Sequence, residues 1–297
     1  MQIIDGRALS KLILIELKSL VSTLPFQPVF CDILVGNDPV SKQYVDLKAK
    51  KAEEIGIKFL NANLPETIPT LELIQEIQHL NAEQNMCGLI LQLPLPHQIN
   101  RSEVLNAIDP KIDVDCMGQN RSKRFYEGDL FLVPPTAGAV IYMLKSLNLS
   151  LESKNILVVG QGELVGRPVT FLLKAMGLHP QICDIRTKNP AYLMQSADII
   201  ISAVGKPKLI NAEKIKKGVI IIDAGTSEDE GSIVGDVDTL SVASLAEAIS
   251  PVPGGVGPLT VAMLLSNVCK VAEEIINYRT YVSPPSGRAK PDPSGGF

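Results

Sequence analysis

Several features that mark particular classes of protein are scarce or absent in this 297-residue sequence. Tryptophan is absent, aromatic residues make up only 4% of the chain and the formal net charge is −4, which argues against base-stacking surfaces and against a general affinity for nucleic acid. No apolar run approaches the roughly 20 residues that span a bilayer, and residues 1–14 lack the basic and apolar regions of a secretory signal. We therefore expect a globular cytoplasmic protein that does not enter a membrane.

The five cysteines are odd in number and widely spaced: Cys31, Cys87, Cys116, Cys183 and Cys269. No C-x-x-C pair that could begin a zinc site is present, and no metal site is predicted. We expect these residues to be buried free thiols.

Apolar runs alternate with amphipathic stretches along the whole chain. PVFCDILVG and CGLILQLPL occur in the first half, and NILVVG, QICDI, ADIIISAVG and GVIIIDAG in the second. Such unbroken runs are typical of strands that are buried on both faces, and helical stretches between them indicate right-handed crossovers in mostly parallel sheets. The pattern and the chain length predict an α/β protein with two α/β units.

The domain boundary is predicted where the composition changes. GDLFLVPPT is rich in proline, so the chain is expected to leave the first domain shortly afterwards, near residues 138–145. We predict a first domain of residues 1–140, completed by a C-terminal helix at residues 260–282, and a second domain of residues 141–259. Residues 283–297 are rich in Pro, Gly and Ser, which predicts a disordered tail.

The segment NILVVGQGELVGRPVTFLL indicates a strand, a glycine turn and a helix. Gly160, Gly162 and Gly166 would let the backbone approach a pyrophosphate at the positive end of the helix, although a plain tight turn is the alternative. About 20 residues later, Asp184 ends the next strand, where a carboxylate can bind the ribose of NAD. Arg186 could instead pair with the 2′-phosphate of NADP, and Asp184 could simply be solvated.

A second group of polar residues suggests a catalytic site. Tyr44 and Lys48 are four residues apart in a helical stretch, so a phenol and an ammonium group lie on one helix face, which could also be an ordinary solvated face. Gln92 stands at the carboxyl end of an apolar run, where open α/β sheets bind ligands. Asp113 and Asp115 lie on a loop, where a carboxylate can bind the paired N–H donors of a pterin or form an Asx turn.

Short motifs in a fixed order over about 260 residues resemble the methylenetetrahydrofolate dehydrogenase/cyclohydrolase family. They are DGRALS, YVDLK, GLILQLPLP, DVD, PPTAG, VGRP, SAVGKP, GDVD and SPVPGGVGPLT, of which the last is the most distinctive.

The resemblance implies an enzyme that oxidises 5,10-methylenetetrahydrofolate with NADP or NAD and then hydrolyses the methenyl product to 10-formyltetrahydrofolate. It also implies two α/β domains flanking a cleft, the second Rossmann-like with a parallel sheet, in a homodimer. Lys48 would handle protons, Tyr44 and Gln92 would position it and the folate, and Asp115 would anchor the pterin. Further implied substrate contacts are Pro253, Gly254, Gly255, Val256 and Pro258. Implied cofactor contacts are Gly160, Gln161, Gly162, Val165, Gly166, Asp184, Arg186, Val204, Gly205, Gly225 and Thr226.

Three motifs depart from the family pattern. Cys116 stands where the family's DVDG motif has glycine, and PPTAG stands where it has PCTP. In the family, an Arg-Ser pair and a further serine bind the NADP 2′-phosphate. Here Gln161 and Gly162 stand in place of the pair, and Ile185 in place of the serine. The family favours NADP, whereas these residues favour NAD. Two other hypotheses remain: another Rossmann dehydrogenase, or a folate-binding relative with one activity or none.

Overall fold

The computed structural model describes residues 1–229 and 232–282, and a helix follows most of its longer strands along the chain. The predicted tail at residues 283–297 lies outside the described residues. In chain order, the elements are β1 (Gln2–Ile3), α1 (Gly6–Ser22), β2 (Val29–Val35), α2 (Pro39–Glu54), β3 (Lys58–Leu64), α3 (Thr70–Asn81), β4 (Met86–Leu91), α4 (Arg101–Ala107), α5 (Gln119–Tyr126), α6 (Pro135–Ser146), β5 (Ile156–Val159), α7 (Gly166–Ala175), β6 (Gln181–Cys183), α8 (Pro190–Ser196), β7 (Ile199–Ser202), β8 (Ile220–Asp223), β9 (Ser227–Asp229), β10 (Ser232–Val234), α9 (Thr239–Val242), β11 (Ala248–Ile249) and α10 (Val256–Val282).

The first parallel sheet has the strand order β3-β2-β4. All residues of β2 and β4 are buried, which explains their unbroken apolar sequences. Because β3 and β4 lie on opposite sides of β2, the order of the strands reverses there, and a crevice forms at the carboxyl ends of β2 and β4. Leu89, within β4, forms a parallel bridge with Asp113, which brings the predicted pterin-binding loop alongside this strand.

The second parallel sheet has the order β1-β11-β8-β7-β5-β6. From β5 onward this is a doubly wound arrangement whose order reverses between β5 and β7, so its ligand-binding crevice lies at the carboxyl ends of those two strands. The predicted α/β class and Rossmann-like second sheet are confirmed. Strand β1 pairs with β11, so residues 2–3 belong to the second sheet, which the sequence did not predict.

The long helix α10 packs against α1, α6 and β4. Gly88 on β4 permits this close approach, since a Cβ there would lie 2.7 Å from Val268 Cγ2. The chain therefore returns to the first sheet after completing the second. Within the described residues, no helix is long and apolar enough to cross a bilayer.

The five cysteines are all buried and unpaired, as predicted. Burial raises the pKa of the Cys31 and Cys87 thiols to about 12, so both are neutral, unreactive thiols at physiological pH.

Candidate active site

Lys48 lies on the face of α2 that packs against the first sheet. Asp38 caps the helix by accepting a hydrogen bond from the Ser41 backbone N–H at 2.7 Å, and Pro39 follows as the first helical residue. The buried positions Ser41, Val45, Lys48 and Ala52 then recur every three or four residues and form one face. Lys48 is only 8% exposed, so it does not belong to a solvated basic face.

Two polar groups hold the Lys48 ammonium group. Its Nζ donates a hydrogen bond of 2.7 Å to Gln92 Oε1, directly after β4. It also lies 2.6 Å from Asp32 Oδ2, on β2. The Gln92 amide is oriented by its own Nε2, which donates to the Leu93 carbonyl at 2.9 Å. The structure therefore brings Lys48 and Gln92 together as a pair.

Asp32 is a charged residue of this crevice that the sequence analysis missed. Its side chain is fully buried in the apolar strand VFCDILV, and Oδ1 has no hydrogen-bond partner among the described residues. Burial raises the pKa of Asp32, while the nearby Lys48 charge lowers it. An acidic residue inside an otherwise apolar run is the signal that could have revealed it, because a buried carboxylate requires a cationic or hydrogen-bonding partner.

The two aspartates of DVD have different environments. The Asp113 carboxylate accepts hydrogen bonds from the backbone N–H groups of Gly118 at 2.7 Å and Met117 at 3.3 Å, so it organises its own loop. The Asp115 carboxylate has no hydrogen-bond partner among the described residues. Burial raises the pKa of Asp115, and the Lys48 charge lowers it, so Asp115 lies within electrostatic range of Lys48.

Tyr44 and Cys116 lie at the border of this region. Tyr44 is one helical turn before Lys48 and is 36% exposed, so its phenol is open to solvent and to a ligand. Cys116 has a φ of 59°, in the left-handed region that favours glycine. This conformation gives a physical reason for the glycine that the family has at this position.

The loop before α10 runs from the second sheet to the first. It follows β11 and leads into α10, which contacts α2, the helix that carries Lys48. At the start of α1, a Cβ on Gly6 would lie 1.7 Å from the Gly255 carbonyl oxygen, so the loop is packed directly on α1. Gly254 has a φ of 109°, and Val256 is buried as the first residue of α10. Pro253 follows a cis peptide bond, and Pro258 lies in the first turn of α10.

The predicted cofactor residues lie mainly at the carboxyl edge of the second sheet. Gly160 directly follows β5 and has a φ of 92°, and a Cβ there would lie 2.4 Å from the Ala203 carbonyl oxygen. A Cβ on Gly166 would lie 2.1 Å from the Gly160 carbonyl oxygen, so both glycines are required by packing. By contrast, a Cβ on Gly162 would meet nothing within 4 Å, which leaves open space over the turn. Val165 caps α7, while Val204 and Gly205 follow β7, and Gly225 and Thr226 follow β8.

Asp184 and Arg186 form a local ion pair at the end of β6. Asp184 Oδ2 accepts hydrogen bonds from Arg186 Nη2 at 3.0 Å and Nε at 3.3 Å, and Oδ1 accepts one from the Arg186 backbone N–H at 2.9 Å. These hydrogen bonds lower the pKa of Asp184, which is therefore ionised at neutral pH. Gln161 points inward, because its Nε2 donates to the Gly160 carbonyl at 2.8 Å and to Thr170 Oγ1 at 3.1 Å.

Taken together, these features define an α/β protein with two parallel sheets, a Rossmann-like nucleotide-binding edge and a separate crevice built around a buried lysine. Two family models match the chain: the tetrahydrofolate dehydrogenase/cyclohydrolase catalytic domain over residues 4–115, and the NAD(P)-binding domain of the same name over residues 134–276. The chain belongs to the tetrahydrofolate dehydrogenase/cyclohydrolase family, which confirms the resemblance noted in the sequence.

Individual relatives agree with this assignment over nearly their whole length. The chain is 38% identical over 277 residues to the "Bifunctional protein FolD" of Clostridium beijerinckii, covering 92% of this chain and 98% of the relative. The crystal structure of the bifunctional enzyme FolD from Campylobacter jejuni is 38% identical with a TM-score of 0.87, covering 93% of this chain and 99% of that one. A Trypanosoma brucei enzyme, solved with NADP cofactor and an inhibitor, is 33% identical with a TM-score of 0.87, covering 92% of this chain and 98% of that one.

Proposed function

We propose that this chain is a bifunctional enzyme of one-carbon metabolism. It oxidises 5,10-methylenetetrahydrofolate to 5,10-methenyltetrahydrofolate with a nicotinamide cofactor, and hydrolyses that product to 10-formyltetrahydrofolate. The observation that carries the proposal is the buried Lys48 ammonium group, held between Gln92 Oε1 and Asp32 Oδ2 in a chain that matches both domains of the family.

Lys48 is proposed to move protons during hydrolysis. Water adds to the methenyl carbon and releases one proton to solvent, which leaves a hydroxyl group on that carbon. When the bond between that carbon and N5 breaks, N5 gains a proton by way of Lys48, and the hydroxyl group loses its own proton to form the formyl C=O. An ammonium group has three N–H donors, of which the contacts to Gln92 and Asp32 engage two. The third donor is left for the folate, so the two partners orient Lys48 Nζ toward the reacting atoms.

The remaining substrate contacts are proposed from their positions around this crevice. The Asp115 carboxylate lacks a hydrogen-bond partner among the described residues, so it is available to accept the paired N–H donors of the pterin. Tyr44, one turn from Lys48, would lie against the folate ring system. The loop at Pro253, Gly254 and Gly255, together with Pro258, would form the wall between the folate and the nicotinamide.

The edge of the second sheet is suited to a dinucleotide. A nicotinamide cofactor held there would supply the acceptor for a hydride from the methylene carbon of the folate. Gly160 and Gly166 allow the turn to pack tightly, while the open space over Gly162 leaves backbone N–H groups accessible to the pyrophosphate at the start of α7. Val165, Val204, Gly205, Gly225 and Thr226 complete the proposed contacts, together with the inward-pointing Gln161.

We propose NAD as the preferred cofactor. Asp184 is ionised and would repel a 2′-phosphate, and its ion pair with Arg186 keeps that guanidinium group from being a free phosphate ligand. Neither Gln161 nor Gly162 offers a cationic side chain at the turn. We further propose that residues 1–140, apart from the edge strand β1, form the folate-binding domain together with the helix at 260–282. Residues 141–259 then form the cofactor domain, and the chain is a homodimer.

Initial rates test this function directly. The purified chain is assayed with 5,10-methylenetetrahydrofolate and either NAD or NADP at matched concentrations, and separately with 5,10-methenyltetrahydrofolate and no cofactor. We expect reduction of the nicotinamide in the first assay, faster with NAD, and hydrolysis in the second. Lys48→Met should abolish hydrolysis, whereas Lys50→Met, on the exposed face of the same helix, should retain it. Absence of folate-dependent cofactor reduction would refute the dehydrogenase function, and full hydrolysis by Lys48→Met would refute the role of Lys48.

A further inference from the structure

The carboxylate of Asp236 organises the turn that follows β7. Asp236 lies two residues after β10 and is fully buried. Its Oδ2 accepts hydrogen bonds from Ser202 Oγ at 2.6 Å and from the Val204 backbone N–H at 2.8 Å. Its Oδ1 accepts one from the Lys206 backbone N–H at 2.7 Å. One side chain therefore fixes both ends of the turn at residues 203–205.

This turn forms one side of the crevice where the order of the second sheet reverses. β5 and β7 are adjacent strands, and the Ala203 carbonyl oxygen would lie 2.4 Å from a Cβ on Gly160. The turn after β7 and the glycine turn after β5 are thus in direct contact. Any displacement of the turn at residues 203–205 changes the space available to a dinucleotide at this edge.

A second buried carboxylate, that of Asp223, connects Asp236 to the neighbouring strand ends. Asp223 Oδ1 accepts hydrogen bonds from the backbone N–H groups of Gly225 at 3.0 Å and Asp236 at 3.1 Å, and Oδ2 accepts one from Val237 at 3.0 Å. The Asp223 backbone N–H donates to Ser250 Oγ at 2.8 Å, directly after β11. The network therefore links the carboxyl ends of β7, β8 and β11.

Glycines make room for both carboxylates. A Cβ on Gly225 would lie 2.2 Å from Asp236 Oδ1, and a Cβ on Gly235 would lie 2.1 Å from Asp223 Oδ2. Asp236 and Asp223 are 0% and 3% exposed, so a ligand cannot contact either one. Because a buried carboxylate is costly unless it is fully hydrogen-bonded, its retention here fits a role in fixing the surrounding backbone.

We propose that Asp236 is a positioning residue for the nicotinamide cofactor, acting through the backbone of Val204 and Gly205. Its carboxylate holds the turn in the conformation that binds the dinucleotide, and Asp223 ties this turn to Gly225 and to Ser250. A turn fixed in advance does not have to be ordered when the ligand binds, which improves affinity. The inference rests on the proposed function only in requiring that a nicotinamide dinucleotide bind at this edge.

The test compares Asp236→Asn with a matched variant of the same sheet. Asparagine keeps the shape of the aspartate side chain, but one of its two acceptor oxygens becomes an NH₂ group, which would face the N–H or O–H groups that donate to Asp236. We expect the dissociation constants of NAD and NADP, measured by calorimetry, to rise about tenfold or more. Asp198→Asn is the control, because Asp198 lies at the opposite edge, before β7, and accepts hydrogen bonds from the Asn155 backbone N–H at 2.7 Å and Lys216 Nζ at 2.6 Å. It should lose stability but bind the cofactor as the wild type does.

Hydrolysis of methenyltetrahydrofolate without cofactor is the second readout, and should be unchanged in Asp236→Asn if the lysine crevice is intact. Ser202→Ala, which removes one of the three donors to Asp236, is measured alongside and should weaken cofactor binding by about threefold. If Asp236→Asn does not fold, Ser202→Ala decides the question.

Each remaining outcome has a definite reading. The positioning role is overturned, and the proposed function is not, if Asp236→Asn binds the cofactor with unchanged affinity. If Asp236→Asn does not fold, unchanged affinity in Ser202→Ala has the same meaning. An equal loss of affinity in Asp198→Asn also overturns the positioning role, since any loss of stability would then suffice. A wild-type chain that binds neither dinucleotide refutes the proposed function, and the positioning role with it.

Discussion

Removing the Lys48 ammonium group should destabilise the fold as well as abolish hydrolysis, because it leaves Asp32 alone in the core. The Asp32 side chain is fully buried, and Lys48 Nζ, 2.6 Å from Oδ2, is its cationic partner. Breaking a buried ion pair by removing one partner typically costs about 3–5 kcal/mol. We therefore expect Lys48→Met to lower the free energy of unfolding by about that amount near pH 8.

The sign of the pH dependence follows from the pKa of Asp32. Burial already raises it, and without Lys48 the main opposing influence is gone. The folded state of Lys48→Met then binds a proton more tightly than the unfolded state does. Its stability should consequently fall as the pH rises above the unfolded pKa of an aspartate, about 3.9, and the loss relative to wild type should be smaller at the acidic end of the range.

A double variant separates this loss of stability from the loss of catalysis. Lys48→Met/Asp32→Asn removes the unpaired charge, so urea unfolding should show most of the lost stability restored, while hydrolysis of methenyltetrahydrofolate stays absent. Lys50→Met, on the exposed face of α2, should differ from wild type by no more than about 0.5 kcal/mol. The reasoning is refuted if Lys48→Met is as stable as wild type near pH 8, or if the double variant is no more stable than Lys48→Met.

Three further predictions concern cofactor choice, strain and pH. Asp184→Ser frees the Arg186 guanidinium group and removes a repulsive charge, so kcat/KM for NADP relative to NAD should rise about tenfold, and an unchanged ratio would contradict the proposed selectivity. Because Cys116 has a φ of 59°, Cys116→Gly should be more stable in thermal unfolding than Cys116→Ala by about 1 kcal/mol; equal stabilities would argue against strain there. Burial raises the pKa of Asp113 from 3.8 to about 7. The stability that this group contributes below its unfolded pKa is therefore lost as the pH rises through 7. Asp113→Asn should reduce this pH dependence of the free energy of unfolding, measured across the same pH range.

The two parallel sheets were predictable from the sequence for a physical reason. Strands such as β2, β4 and β7 are buried on both faces, so each requires an unbroken apolar run that stands out from its surroundings. Strand β1 could not be predicted in this way. It consists of Gln2 and Ile3, and two residues are too few to show any periodicity.

The candidate site was predictable where a residue type interrupts a pattern. Gln92 ends an apolar run, and Lys48 follows Tyr44 at helical spacing. Asp32 was missed because it lies inside an apolar run, and its partner, Lys48, is 16 positions away on another element. Asp236 was missed because its partners are 30 to 34 positions away on the chain, and only the folded backbone brings them to one carboxylate.

Each end of the described chain packs on the sheet formed mainly by the other half of the sequence, which has a practical consequence for separating the two halves. Residues 2–3 form the edge strand of the second sheet, and α10 covers the first sheet from the other end of the chain. A cut near residue 140 would leave one fragment without its covering helix and the other without its edge strand. Each piece would expose apolar surface or unpaired backbone that the intact chain conceals, so the halves are better studied by substitution than by dissection.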